Sequence, residues 1–265
     1  MTPAKQSLDE ILAEHSGPGR GRSSTVNMSD REAAEKRHIY SDPRTGERVI
    51  GVTTVVGCFD SGDKIGAGAG AAAKLIRSGV DYRKQWNEKK DLGSRIHEHV
   101  ARWAEGKTAD VLEEDMGHMD AFENFCRAEK PEWIATERAV VGDGFGGKLD
   151  LIGWLPKRES YWLLDAKSGR PYKAELLLQL AGYAGSDGFI VYDESGKAVG
   201  IEPLPHIERW GGLYLSGDGT YFLAEPDLPR KDDPRTIAEI QEDAMSAFRH
   251  LLAVKAWSKT VGKDQ

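Results

Sequence analysis

Cysteine is nearly absent: the chain has two in 265 residues, Cys58 and Cys126. Two thiols cannot build a disulfide scaffold, a structural zinc site or a four-thiolate iron–sulfur cluster within one chain. Each lies in an apolar setting, VVGCF and ENFCRAE, which predicts two small buried hydrophobes. Long hydrophobic runs are missing too. No stretch approaches a bilayer span, and the opening MTPAKQSLDE lacks a signal peptide's apolar segment. The expectation is a soluble, cytoplasmic chain with no membrane partner. Positive charge is also in short supply, with Lys+Arg 36 against Asp+Glu 43 and a formal net charge of −7. That balance excludes a histone-like or polybasic protein, though not a local basic groove.

What is present reads as one α/β domain. Residues 1–37 form a separate, disordered tail, in which SLDEILAEH has a short helical pattern and GPGRGRSSTVNMSD has none. Arg20 and Arg22 there read as solvated tail charges. Residues 38–258 show no repeat and no internal linker, and 259–265 form a second tail. RHIY and RVIGVTTVVGCF are predicted strands, followed by a small-residue helix in AGAGAAAKLIRSG. Leu92, Ile96, Val100 and Trp103 recur at helical spacing, and a helix through VLEEDMGHMDAFENFCRAEK stops at Pro131. Three β-like runs come next: WIATERAVVG, GGKLDLIGWL and YWLLDAKSG. A helix in YKAELLLQLAGYAGSDG, hairpins in GFIVYDESGKAVGIEPL and GGLYLSGDGTYFLAEP, and a last helix over about Thr236–Ser258 complete the pattern. The predicted architecture is a mixed central sheet flanked by helices.

Chemistry concentrates around YWLLDAKSG. A strand's period of two puts Asp165 and Lys167 on one face with Leu163. In GKLDLIGW the same rule groups Lys148, Asp150 and Ile152. If these strands pair as a hairpin, Asp150 and Asp165 come close, and two crowded carboxylates are relieved by a hard divalent cation. Such an ion can activate a water, which Lys167 would hold while offsetting phosphoryl charge. Taken alone, D-A-K also describes an ion pair on a solvent-facing strand. Helices on either side add to the pattern. Gly93 and His97 share a helical stripe, and an imidazole there can complete a carboxylate-rich site; His99 lies about 200 degrees round the helix and cannot join it. Glu175, Gln179 and Tyr183 form a polar stripe opposite Leu176, Leu177 and Leu180, placed to reach over the end of the D-A-K strand and hydrogen-bond a DNA backbone or the lysine. Glu137 alternates onto a face with Trp133, Ala135, Ala139 and Val141. There it reads as a third acidic ligand, a partner for a base, or a plain edge-strand glutamate.

Taken in order, G-x-x-x-H at Gly93–His97, the Glu137 strand, G-K-L-D at 147–150, D-A-K at 165–167 and Q-x-x-x-Y at Gln179–Tyr183 resemble the RecB-like branch of the PD-(D/E)XK nucleases. The chain is similar to phage exonucleases related to the CRISPR-associated exonucleases, with VIGVTTVVG resembling their S-V-T-T-V-L entry; the likeness covers roughly residues 38–225. It implies a PD-(D/E)XK core and metal-dependent hydrolysis of DNA phosphodiester bonds, most simply as an exonuclease in recombination, repair or phage replication. His97, Asp150, Asp165 and the Ala166 carbonyl would bind Mg²⁺ or Mn²⁺. Lys167 would position the water, Gln179 and Tyr183 would support the site and the strand, and Glu137 would assist. Lys148, Arg170 and Lys173 would line a basic path for linear or single-stranded DNA ends, and a helicase or recombinase would be the partner. The four cysteines of the cluster-bearing relatives are missing, so no iron–sulfur cluster is expected.

Two rival readings are weaker. Gly66, Gly68 and Ala71 fit a relaxed dinucleotide fingerprint, but no acid-tipped strand follows, and Lys74 lacks the G-K-[ST] context of a phosphate loop. A non-catalytic DNA-end-binding or recombination-partner module on the same fold would have no need of the acids, lysine and histidine together.

Overall fold

A computed structural model of the chain describes residues 39–59, 77–78, 81–108, 110–169 and 173–261. The two predicted tails, apart from the helical residues 259–261, and the predicted helix in AGAGAAAKLIRSG lie outside the described residues, save for Arg77 and Ser78 of that segment. The described residues form a mixed nine-stranded sheet flanked by helices. No helix among them is long and apolar enough to cross a membrane.

β1 (Tyr40–Ser41) and β2 (Arg48–Gly51) pair antiparallel. The predicted strand RVIGVTTVVGCF stops at Gly51, and Val52–Val56 is a helix, α1. Its β-branched residues favour extended chain locally. Val52, Val55 and Val56, however, stand at helical spacing and are all buried, so packing overrides propensity. Cys58, just beyond, is half-buried rather than buried, because its thiol lies back over the Thr54 carbonyl on the exposed side of α1; Cys126 is buried as expected.

α2 (Tyr82–Ala104) buries Ile96 and Val100, with Trp103 edge-on to Phe122. The helix predicted from Val111 begins later, as a 3₁₀ turn at Glu113–Asp115 leading into α3 (Met116–Glu129). It ends at Lys130 in the left-handed region, φ 52, since Pro131 disfavours helix in the residue before it. The next three strands are β3 (Glu132–Gly142), β4 (Phe145–Leu155) and β5 (Ser160–Lys167). They run antiparallel in succession, β3 and β4 joined by a tight Asp143-Gly144 turn with Gly144 at φ +76. α4 (Lys173–Ala184) follows, then β6 (Gly188–Tyr192) and β7 (Ala198–Glu202), β8 (Arg209–Leu215) and β9 (Tyr221–Ala224), and α5 (Ile237–Val261).

The strand order is β7-β6-β3-β4-β5-β8-β9, with β2 beside the start of β4. Among the described residues only β2–β4 and β5–β8 are parallel pairs. Adjacent residues of β5 serve different cores, as strand alternation requires. Leu163 packs with Val52, Leu176, Leu180 and Phe248 under α1, α4 and α5, whereas Leu164 packs with Ile96, Val100, Phe122 and Phe125 under α2 and α3. Each such fully buried side chain contributes about 1.5–3 kcal/mol.

Candidate metal centre

Register assembles the acids. β3 and β4 pair Thr136 with Leu151 and Arg138 with Leu149, which sets Glu137 opposite Asp150. β4 and β5 pair from Leu155–Ser160 to Leu151–Leu164, and one further step sets Asp150 opposite Asp165. One transverse row therefore carries a carboxylate on each of three neighbouring strands. Strand alternation breaks at this row: Gly147 and Leu149 lie under α4, as Ile152 and Leu163 do. Lys148 therefore does not share a face with Ile152 as uniform alternation predicts, and it points away from the face that carries Lys167.

The sheet opens at this row. β5 leaves β4 after Leu151, and β2 takes the same edge of β4 only at Phe145 and Gly146. Residues 147–150 thus have no strand on that edge among the described residues. Instead of a ladder bond, the Ala166 N–H donates to Asp150 Oδ2 at 2.8 Å. On the other edge Glu137 has φ 46, a left-handed conformation that costs a side chain of this size about 1–3 kcal/mol. It does not share a face with Trp133 in the way uniform alternation predicts, because the register shifts between Trp133 and Ala135.

His97 reaches the row from α2. Its Nδ1 lies 3.2 Å from Asp150 Oδ1 and 3.8 Å from Glu137 Oε1. One ligand atom each from His97, Glu137 and Asp150 fall within 4.8 Å of one another, compact enough for a single ion. Gly93, one turn earlier, is not sterically required: a methyl there would meet Ser168 Oγ at an ordinary 3.8 Å.

Asp165 turns the other way. Gln179 Nε2 donates to its Oδ1 at 2.7 Å, and its Oδ2 lies 2.6 Å from Lys167 Nζ, at an angle that is not that of a hydrogen bond. Gln179 Nε2 also donates to the Tyr183 hydroxyl at 3.3 Å, and Lys167 Nζ to Gln179 Oε1 at 3.5 Å. The expected polar stripe on α4 is therefore not solvated. Tyr183 is 3% exposed, because its ring covers Gly147, where an added Cβ would sit 2.7 Å from the ring. A group so enclosed supports Gln179 and does not meet a strand in solvent. The same contact explains the glycine of G-K-L-D.

The charges of the row act on one another. Burial is the largest single influence on Asp150 and works against its ionisation, but the charge and hydrogen bond of His97, the charge of Lys167 and the Ala166 N–H together hold the carboxyl below its ordinary value. Asp165 is raised, by burial first and by Asp150 as a like charge, with Lys167 opposing. Lys167 is raised in turn: burial disfavours its charge, and Asp165 and Asp150 together prevail. His97 is raised to about 10, chiefly by Asp150. Burial and both aspartates push the Tyr183 phenol well up. The site thus sets three carboxylates among the His97 imidazole and the Lys148 and Lys167 side chains, where water screens little.

The predicted residues divide as follows. His97, Glu137, Asp150, Asp165, Lys167 and Gln179 come together, with Tyr183 behind Gln179 and the Ala166 backbone beneath Asp150. Lys148 forms an ion pair with Glu137, so it is spent partly within the site. Lys173 begins α4. Arg170 lies outside the described residues. His99 is buried elsewhere, 3.7 Å from Asp115, as the helical angle requires. The gap in the sheet and the left-handed Glu137 carry no local sequence signal; only the G-K-L-D glycine hinted at a close approach.

The donor set suits a hard divalent cation: one imidazole nitrogen, carboxylate oxygens, and an Asp165 oxygen buried without a hydrogen bond. A scan against protein-family models finds none that matches the chain, and a search of curated proteins finds no match.

Proposed function

We propose that the protein is a Mg²⁺- or Mn²⁺-dependent deoxyribonuclease with a PD-(D/E)XK-type core, acting as an exonuclease on DNA ends. The observation that carries this reading is the row Glu137, Asp150 and Asp165 across three strands, met by His97 from one side and Lys167 from the other. Acids crowded at such cost in a buried row, with one lone-pair site left without a hydrogen bond, are an arrangement that stability alone does not favour. The order of motifs along the chain supports the same reading.

His97, Glu137 and Asp150 would hold the ion, with Asp165 supplying the oxygen that Lys167 now faces. When bound, the cation polarises a phosphoryl oxygen and lowers the pKa of water. Lys167, kept protonated by Asp165 and Asp150, offsets negative charge developing on the phosphate and orients the attacking water. Gln179 contacts both Asp165 and Lys167, and the Tyr183 hydroxyl accepts from Gln179 behind them. A helicase or a recombinase suits such an activity as a working partner.

The test is a time course on end-labelled linear and covalently closed circular DNA with Mn²⁺. Cleavage of the linear form alone, lost in Asp165→Ala, is the expected result. Equal cutting of the circle overturns the exonuclease assignment, and metal-independent binding without cleavage would make the protein an end-binding module.

A further inference from the structure

The last helix changes character halfway. α5 carries Glu239, Glu242 and Asp243 in its first two turns, but residues 244–261 contain Arg249, Lys255 and Lys259 and no Asp or Glu, in a chain of net charge −7. Burial changes at a similar place. Ile240, Ala244 and Phe248 are buried and Leu251 and Leu252 partly so, whereas residues 253–261 are exposed except for a half-buried Lys255. Nine residues of helix, about 13 Å, run on past the core.

The path of this overhang is set by α4. A Cβ added at Gly182 would strike the Phe248 ring at 2.7 Å, and one at Gly185 would lie 3.6 Å from the Met245 sulfur. The helices therefore run antiparallel, each step back along α4 matching a step forward along α5. On that register Leu252 is level with Leu178, one residue from Gln179. Lys255 is level with Glu175, and Lys259 passes beyond Lys173, where α4 begins on the Lys167 side of the site. At 100 degrees per residue, Lys255 and Lys259 continue the stripe of Ile240, Ala244 and Phe248. The side of the helix that faces the protein body thus turns from apolar to lysine as the body ends. Val254, Trp257 and Val261 form a separate stripe about 130 degrees away.

A lysine in the final turn suits the helix dipole. The dipole does not account for Lys255 and Arg249, one and nearly three turns earlier, or for the absence of any acid over eighteen residues. Among the described residues none of the three cations has an ion pair. We propose that this overhanging end of α5 holds the sugar–phosphate backbone of the DNA strand entering the carboxylate site, through Lys255 and Lys259. The inference rests on the nuclease reading for its polyanion, and on charge complementarity for its occupant.

The experiment measures binding of a labelled single-stranded oligonucleotide by fluorescence anisotropy in EDTA, between about 50 and 200 mM salt. Lys255→Ala/Lys259→Ala is expected to weaken binding about tenfold at the low-salt end and to flatten the salt dependence by about 1.4, the loss of two phosphate contacts on a single strand. Trp257→Ala, on the other stripe, is expected to bind as the wild type does. Thermal midpoints check that the variants fold. Wild-type protein that cuts DNA with Mn²⁺ while the double lysine variant keeps its affinity and salt slope overturns this inference and leaves the nuclease standing. Wild-type protein that neither binds nor cuts overturns both. Loss of binding in Trp257→Ala with retention in the lysine variant assigns the contact to the apolar stripe, or to a protein partner, and overturns the proposal.

Discussion

Two buried aspartates, Asp165 and Asp227, are treated in opposite ways by this fold. Asp227 is 0% exposed, and its oxygens receive Arg209 Nε and Nη2 at 3.3 Å, the Trp210 N–H at 3.1 Å and Gln241 Nε2 at 2.9 Å. It ties β8 to α5, and protein donors meet both of its oxygens. Asp165 is 1% exposed, faces Asp150 across the gap in the sheet, and leaves Oδ2 without a hydrogen bond. One acid has hydrogen bonds on both oxygens; the other has one oxygen bonded to Gln179 and one met only by the charge of Lys167 at 2.6 Å. Architecture has no use for the second arrangement, which is why the carboxylate row reads as a site for something brought from outside.

The largest effect expected from breaking this contrast is on activity. Asp165→Asn should reduce Mn²⁺-dependent DNA cleavage roughly a thousandfold, the scale for removing a group that stabilises charge in the transition state. Its thermal midpoint in EDTA should hold or rise, since a like charge leaves a buried row. Arg209→Met should do the reverse. Removing the cation that meets Asp227 should cost about 3 kcal/mol in urea unfolding, while cleavage per folded molecule stays unchanged.

A pH series sharpens the contrast using Asp115 as the acid bonded at both oxygens. Arg95 Nε and Nη2 grip it at 2.7 and 2.8 Å and hold its carboxyl below the ordinary value of 3.8. Its contribution is therefore full above pH 3.8 and lost as pH falls through the lowered value. Asp165 is raised instead, so in metal-free protein its contribution is full below 3.8 and lost as pH rises through the raised value. Urea midpoints should accordingly show Arg95→Met approaching wild type in acid, and Asp165→Asn pulling ahead of wild type as pH rises. The smallest effect concerns Glu137. Glycine tolerates φ 46 without strain, so Glu137→Gly should be about 1 kcal/mol more stable than Glu137→Ala, with both losing metal affinity in calorimetric titration.

Local pattern explains how much of this was readable. The period of two in GKLDLIGW and YWLLDAKSG, with a hairpin between them, was enough to bring Asp150 beside Asp165, and helical spacing was enough to send His97 and His99 to different places. VTTVV was misread because its β-branched residues declare a strand locally, while the core accepts Val52, Val55 and Val56 only as a helix. The burial of Tyr183, which supports Gln179 as its stripe suggests, was hidden for a related reason. A stripe on a helix shows which side chains point together, but not that a sheet gap and Gly147 wait beneath them.

By itself, then, the sequence determined which residues carry charge and chemistry, their faces wherever a strand or helix stays regular, and the alternation that makes a sheet with helices on both sides. Those follow from short-range geometry, which depends only on neighbours in the chain. Tertiary structure alone decided that β5 departs from β4 after Leu151, that Glu137 is twisted left-handed toward His97, and that Asp165 and Asp227 meet such different company. Each of these depends on groups far apart in the chain, whose meeting no local pattern encodes.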